Sequence, residues 1–212
     1  MKRIVMTGGP CAGKTSIMGT LKAELESRGY KVFIVPESAT ELILNGIHTG
    51  KHLTAAEFQG LLVEKQISKE AIYEKAAAKY KPEKVIILYD RGLMDFRAYV
   101  TPEEAEQIMR VNHLTVEEAL DRYDAVIHLV TAADGAPEHY QWNDPEREST
   151  GNNAARVETP EEAIATDRRT AAAWEGHPHL RIFPNTADFP AKVKAAADEI
   201  FALLGLQESE KA

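Results

Sequence analysis

The sequence runs to 212 residues, with 25 Lys+Arg against 33 Asp+Glu and a formal net charge of -8, a balance that argues against a nucleic-acid-coating surface, which is ordinarily basic. Hydrophobic residues at 44% and charged residues at 27% are the mix of a globular domain with enough apolar material to bury its own core. The single cysteine, Cys11, excludes an intrachain disulfide, and no apolar run is long enough to span a bilayer, so the expectation is a cytoplasmic protein without membrane insertion.

From the N-terminus, Ile4 to Thr7 reads as a buried strand, and a helix follows from about Lys14 to Arg28, stopped by Gly29. Lys31 to Val35 is a second apolar strand, with a helical stretch from about Ser38 to Leu44 behind it. A long helix, roughly Thr54 to Tyr80, ends at Pro82, and Val85 to Tyr89 is the third strand. Thr101-Pro102, with Glu103 and Glu104 in its first turn, opens one short helix; Thr115, with Glu118 as its capping-box partner, opens another. Ala125 to Val130 is the fourth strand. Residues 133–157 are rich in Gly, Pro, Asn and charge, and so long an irregular stretch inside a compact chain points to function or to disorder. Thr159-Pro160-Glu161-Glu162 opens a helix ending near Trp174, Leu180 to Phe183 is the fifth strand, and Asp188 with Pro190 caps a last helix to about Leu204. The pattern predicts one α/β domain over residues 1–206, a parallel sheet covered on both faces, with ligands at the carboxyl ends of its strands. Residues 207–212 are expected to fray.

The first strand-to-helix turn, Gly8-Gly9-Pro10-Cys11-Ala12-Gly13-Lys14-Thr15, satisfies G-x-x-x-x-G-K-T in its proper context. Such a loop turns its backbone N–H groups inward around a polyphosphate, and the helix N-terminus adds a favourable field. Lys14 is expected to reach the terminal phosphates, Thr15 to ligate magnesium, and Ser16 to bond a more inner phosphate. Cys11 reads as a small side chain that fits the loop.

Two further strands end in charge on the same rim. Asp90 follows an apolar strand, as a magnesium-binding aspartate does, and Arg91 follows it where hydrolysing motors carry glutamate. Arg91 is therefore expected to stabilise a transferred phosphoryl group. Glu37, after the second strand, is expected to act as general base toward an acceptor hydroxyl, with a helix-dipole acid as the simpler alternative. Asp95 and Arg97 read either as acceptor contacts or as a surface pair. Residues 133–157 read as a lid that carries Arg147 and Arg156 to the phosphates, Arg156 foremost, in preference to a solvated loop with ordinary surface charge; Arg168 and Arg169 are lesser candidates, placed by the pattern on an exposed helical face. Asn185, with Thr186-Ala187-Asp188, stands where a base is commonly contacted. It half matches the guanine-reading N-K-x-D without its lysine, so ATP is the preferred donor and GTP remains open. His177-Pro178-His179 lacks metal-ligand partners and reads as a loop.

Thr7 to Ser16, Pro36-Glu37-Ser38, Asp90-Arg91-Gly92 and the stretch Asn153 to Asn185, with Arg156, Glu158, Ala163, Asp167 and Trp174, together resemble a small AAA-like P-loop ATPase/kinase family. That family includes the nicotinamide riboside kinase domain of NadR and the N-terminal domain of a eukaryotic GTP- and phosphoinositide-binding trafficking protein. Deoxynucleoside and thymidylate kinases are similar at greater distance. The resemblance implies a P-loop three-layer sandwich with strand order 2-3-1-4-5. On this basis the sequence points to a magnesium-dependent kinase that moves the ATP γ-phosphoryl to a small acceptor, the alternative being a regulatory ATP/GTP switch with slow hydrolysis. No arginine occurs between Arg28 and Arg91, the span expected to hold the acceptor (about 38–82). An acceptor phosphate would call for a bidentate arginine there, so a neutral, nucleoside-like acceptor is expected, with Gln59 or Gln66 as candidate readers of a base edge.

Overall fold

The computed structural model describes residues 1–140, 158–185 and 188–206. Five parallel strands, β1 (Lys2–Gly8), β2 (Lys31–Val35), β3 (Val85–Asp90), β4 (Ala125–Leu129) and β5 (Leu180–Phe183), form one sheet in the order β2-β3-β1-β4-β5. Among the described residues seven α-helices surround it: α1 (Lys14–Ser27), α2 (Ser38–Leu44), α3 (Ala55–Ala77), α4 (Pro102–Val111), α5 (Val116–Asp121), α6 (Pro160–Ala173) and α7 (Phe189–Leu203). The expected element order and sheet order are both present.

Strand alternation decides the two faces. Ile4 and Met6 of β1, Ile86 and Leu88 of β3, and Ala125, Ile127 and Leu129 of β4 pack with α1 and α7. Their neighbours Val5, Ile87, Tyr89 and Val126 pack on the other side with α3, α4, α5 and Trp174. Burial on both faces is why these strands read as unbroken apolar runs. The threonines at residues 54, 101, 115 and 159 each close a capping box, and Asp188 caps α7. The segment after β3, Leu93–Tyr99, is a 3-10 helix that the periodicity did not indicate. No described helix is long and apolar enough to cross a membrane.

Parallel register sets the rim: Met6 lies beside Asp90, and Gly8 beside Leu129. The carboxyl ends of β1, β2 and β3 thus deliver the phosphate loop, Glu37 and Asp90-Arg91 to one edge. Of the expected lid, residues 133–140 are described, including a 3-10 turn over Pro137–His139. Arg147 and Arg156 lie outside the described residues, as does the tail 207–212.

Candidate active site

A cleft of about 1380 Å³ opens on that edge, lined by residues 10–16, Glu37, Asp90-Arg91, the facing sides of α2 and α3, and the start of α7. This is ample for two small substrates end to end. Gly8 has φ +129°, and a Cβ there would stand 1.9 Å from the Leu129 carbonyl oxygen, so only glycine lets β1 leave the sheet at this point. Cys11 sits in the loop with φ 56°. Helix α1 begins at Gly13 with no side-chain cap and no acidic residue in its first turn. Its leading N–H groups face the cleft as an anion site. Thr15 and Ser16 are exposed there.

Lys14 folds across the loop and donates from Nζ to the Gly8 and Gly9 carbonyls, both at 3.0 Å. Burial, and then the nearby Arg91 charge, lower its pKa to about 8, against partial compensation from Asp90, Glu37 and Asp95. Arg91 adopts φ 67°, a left-handed conformation uncommon for a residue with a side chain, while its N–H bonds the Met6 carbonyl at 3.0 Å. Its Nε donates to Glu37 Oε1 at 2.5 Å, and its other arm lies 3.4 Å from Asp95 Oδ2. Glu37 also accepts from Thr40 Oγ1 at 2.5 Å. Burial alone would raise the Glu37 pKa, but the charges of Arg91 and Lys14 and these hydrogen bonds overcome it and hold the group at about 2.

Asp90 differs. Burial pushes its pKa up, with Glu37 and Asp95 adding to Lys14-opposed pressure, and its Oδ1 is buried with no hydrogen-bond partner. An unpartnered carboxylate oxygen and the Thr15 hydroxyl in one cleft are hard ligands that fit a magnesium ion. No trio of His, Cys, Asp or Glu that would cage a metal occurs among the described residues. A bound ion would therefore complete its shell with water and phosphate oxygens, as magnesium does.

Beyond Glu37 the cleft turns apolar, with Ile43, Phe58, Leu62, Val63 and Phe96 in its walls. Gln59 and Gln66 are both 6% exposed, so neither is a solvated helix position. Gln66 is engaged within the protein, accepting from Ser38 Oγ at 2.7 Å and donating to Glu70 at 2.8 Å. Gln59 Oε1 is buried without a partner. Among the described residues, the basic side chains lining the cleft are Lys14, Arg91 and His139.

At the other end Asn185 is in the wall, but its Nδ2 donates to the carbonyls of Thr131 and Asp134, each at 2.7 Å, and its Oδ1 accepts from Lys192 at 2.8 Å. Its amide thus secures the chain after β4. Asp188 spends Oδ1 on the Ala191 N–H at 2.8 Å. Asp95 is not a surface residue: at 4% exposure it lines the cleft beside Arg91 and accepts from Thr7 Oγ1 at 2.7 Å and Trp174 Nε1 at 2.6 Å. Arg168 is exposed and pairs with Asp134 at 3.6 Å, while Arg169 donates to the Ala98 carbonyl at 2.8 Å. His177 bonds the Tyr123 carbonyl at 2.9 Å and accepts the His179 N–H at 3.1 Å, a loop brace.

Sequence reasoning assigned no task to two residues, one on α6 and one at its C-cap. Trp174 anchors Asp95, and Asp167 takes the Gly9 N–H at 2.5 Å. A signal was available: Ala163, Thr166, Asp167, Thr170, Ala173 and Trp174 form one buried helical stripe. A carboxylate on such a stripe demands a partner.

A family model described as an AAA domain matches residues 3–192. Comparison with curated protein sequences gives no match. Deoxyadenosine kinase from M. mycoides with bound dATP is similar at 14% identity and TM-score 0.59, over 94% of this chain and 99% of that one. The NadR protein in complex with NR is similar at 14% identity and TM-score 0.66, and NadR with NAD and AMP-PNP at 13% and 0.64. Both NadR alignments take in 100% of this chain, which spans 54% and 51% of theirs, about half. These likenesses establish a nucleoside-kinase-like P-loop fold.

Proposed function

The chain belongs to the AAA domain family, and from that premise we propose that it is a magnesium-dependent kinase transferring the γ-phosphoryl of ATP to a hydroxyl of a small, unphosphorylated, nucleoside-like acceptor. The observation that carries the reading is one cleft with two unlike ends. One end has the phosphate loop with Lys14; the other is apolar, with the unpartnered Gln59 Oε1 and no cation of its own beyond Arg91 among the described residues. Glu37 and Arg91 stand between them.

In this reading the loop N–H groups, Lys14 and Ser16 hold the donor phosphates. Thr15 and Asp90 hold the metal, which supplies charge neutralisation at the phosphates when bound. The acceptor oxygen attacks the γ-phosphorus, the bond from that phosphorus to the ADP oxygen breaks, and the hydroxyl proton passes to Glu37. The Arg91 contact that helps hold Glu37 at about 2 makes it a weak base at rest. When Arg91 turns toward the phosphoryl group, Glu37 loses that stabilisation and its basicity rises. Arg156 and Arg147 remain proposed phosphate donors on the segment outside the described residues, and Asn185 a shaper of the base end. The kinship of fold with deoxyadenosine kinase and NadR supports a nucleoside acceptor.

The test is ADP release from MgATP against a panel of nucleosides, nicotinamide riboside included, and their monophosphates. Nucleoside-dependent ADP release that disappears in Glu37→Gln and Lys14→Ala is the expected result. Preference for monophosphates would overturn the neutral acceptor, and nucleotide binding with no acceptor stimulation would overturn the kinase.

A further inference from the structure

We infer that Asp167 is a positioning residue for the phosphate loop, fixing its ascending arm from helix α6 before nucleotide arrives; this rests on the nucleotide-binding reading of the loop. Gly9 N–H donates to Asp167 Oδ1 at 2.5 Å, and Asp167 Oδ2 lies 3.3 Å from His128 Nε2. Asp167 is 4% exposed and His128 0%. One carboxylate thus ties three elements: the loop, strand β4 and α6. A bond from N–H to carboxylate is charge-assisted and about twice as strong as a neutral one.

The contact is built on close approach. A Cβ on Gly9 would meet Thr131 Cβ at 2.7 Å and Asp167 Oδ1 at 2.8 Å. Thr131 Oγ1 donates to the neighbouring Pro10 carbonyl at 2.7 Å. Two side chains from separate elements therefore grip consecutive loop residues, one by the N–H and one by the C=O. The second glycine of Gly8-Gly9 is required by this grip, where the first is required by the exit from the sheet.

A negative charge behind a polyphosphate site works against affinity by simple Coulomb attraction and repulsion. Its benefit is geometric: a loop already held contributes no ordering cost when phosphate binds. Buried Lys192 lies close enough to Asp167 for the carboxylate to support its charge, which offsets part of the field. His128, whose Nδ1 has no partner, directs Nε2 to Asp167 and fixes the orientation of the carboxylate.

The test measures MgADP affinity by calorimetry for wild type, Asp167→Ala and Asp167→Asn, alongside hydrogen exchange of the Gly9 amide in the wild type. Asp167→Ala is expected to bind MgADP about 10- to 100-fold more weakly. Asp167→Asn, whose amide oxygen still accepts the Gly9 N–H, should stay within about threefold of wild type. The Gly9 amide should exchange slowly without ligand. A purely structural role would lower the melting temperature of both variants and leave affinity in place. Wild-type affinity in Asp167→Ala, equal losses in both variants, or free exchange at Gly9 would each overturn the inference. The amide needs no variant and decides the case even where Asp167→Ala does not fold. A wild type that binds no MgADP sinks the nucleotide reading itself, whatever the Gly9 amide does.

Discussion

Lys14 is held at a cost. Lowering its pKa from 10.5 to about 8 means that the folded state disfavours its charge. Below pH 8 the lysine is protonated in both states and the cost is present in full; between 8 and 10.5 the unfolded chain holds more protons and stability gains with pH; above that range the cost is gone. Allowing for its opening onto the cleft, the penalty is roughly 1–3 kcal/mol at neutral pH. Lys14→Met should therefore raise the melting temperature of the ligand-free protein by on the order of 2–6 °C while abolishing MgADP binding, with scanning calorimetry and titration as the paired measurements. An unchanged or lower melting temperature contradicts the account. Glu37 carries the opposite sign. Its pKa falls from 4.5 to about 2, so its ion pair with Arg91 stabilises fully above pH 4.5 and the contribution is lost as pH drops toward 2. Glu37→Gln should reduce kcat by about 10²- to 10⁴-fold with little change in the KM for ATP; a proportional rise in that KM would move Glu37 to the donor site. That Lys14, Thr15 and Asp90 meet on one rim was legible in sequence, because a contiguous motif and a strand end place them there. The left-handed turn at Arg91, which aims its side chain back at Glu37, was not, since nothing in Asp90-Arg91-Gly92 specifies it short of tertiary structure.

At the scale of elements, α6 and the 3-10 helix Leu93–Tyr99 form the hinge of the design. Gly92 lies so close under Trp174 that a Cβ would meet its ring at 2.7 Å, and the indole N–H reaches Asp95, which also holds Thr7 of β1. The Leu93 N–H donates to Tyr123 Oη at 2.9 Å. The helix is thus pinned by distant residues, and for this reason no 3.6-residue periodicity marked it in the sequence. Strands and helix starts were legible because apolar runs and Thr-x-x-Glu boxes are local signals. Trp174→Phe keeps most of the packing but leaves a buried Asp95 oxygen short of a donor. It should cost about 1–3 kcal/mol in urea denaturation followed by circular dichroism. A loss within experimental error would mean that Asp95 is satisfied without the indole.

For the whole molecule, the parallel register assembles the site: three strands end together, and everything charged at those ends meets in one cleft. The acceptor half is defined by what the sequence omits. The missing arginines of residues 29–90 were visible in the sequence, but that Gln66 is occupied by Ser38 and Glu70 while Gln59 Oε1 has no partner depends on the tertiary structure. Gln59→Leu should accordingly raise the acceptor KM by about 10-fold or more and leave that for ATP alone, whereas Gln66→Leu should chiefly lower stability. The most direct test of the central claim follows the phosphorus itself. In 31P NMR of MgATP with a nucleoside acceptor, the account predicts a phosphomonoester resonance growing as the γ resonance declines; inorganic phosphate as the only product beside ADP, with or without acceptor, would contradict it.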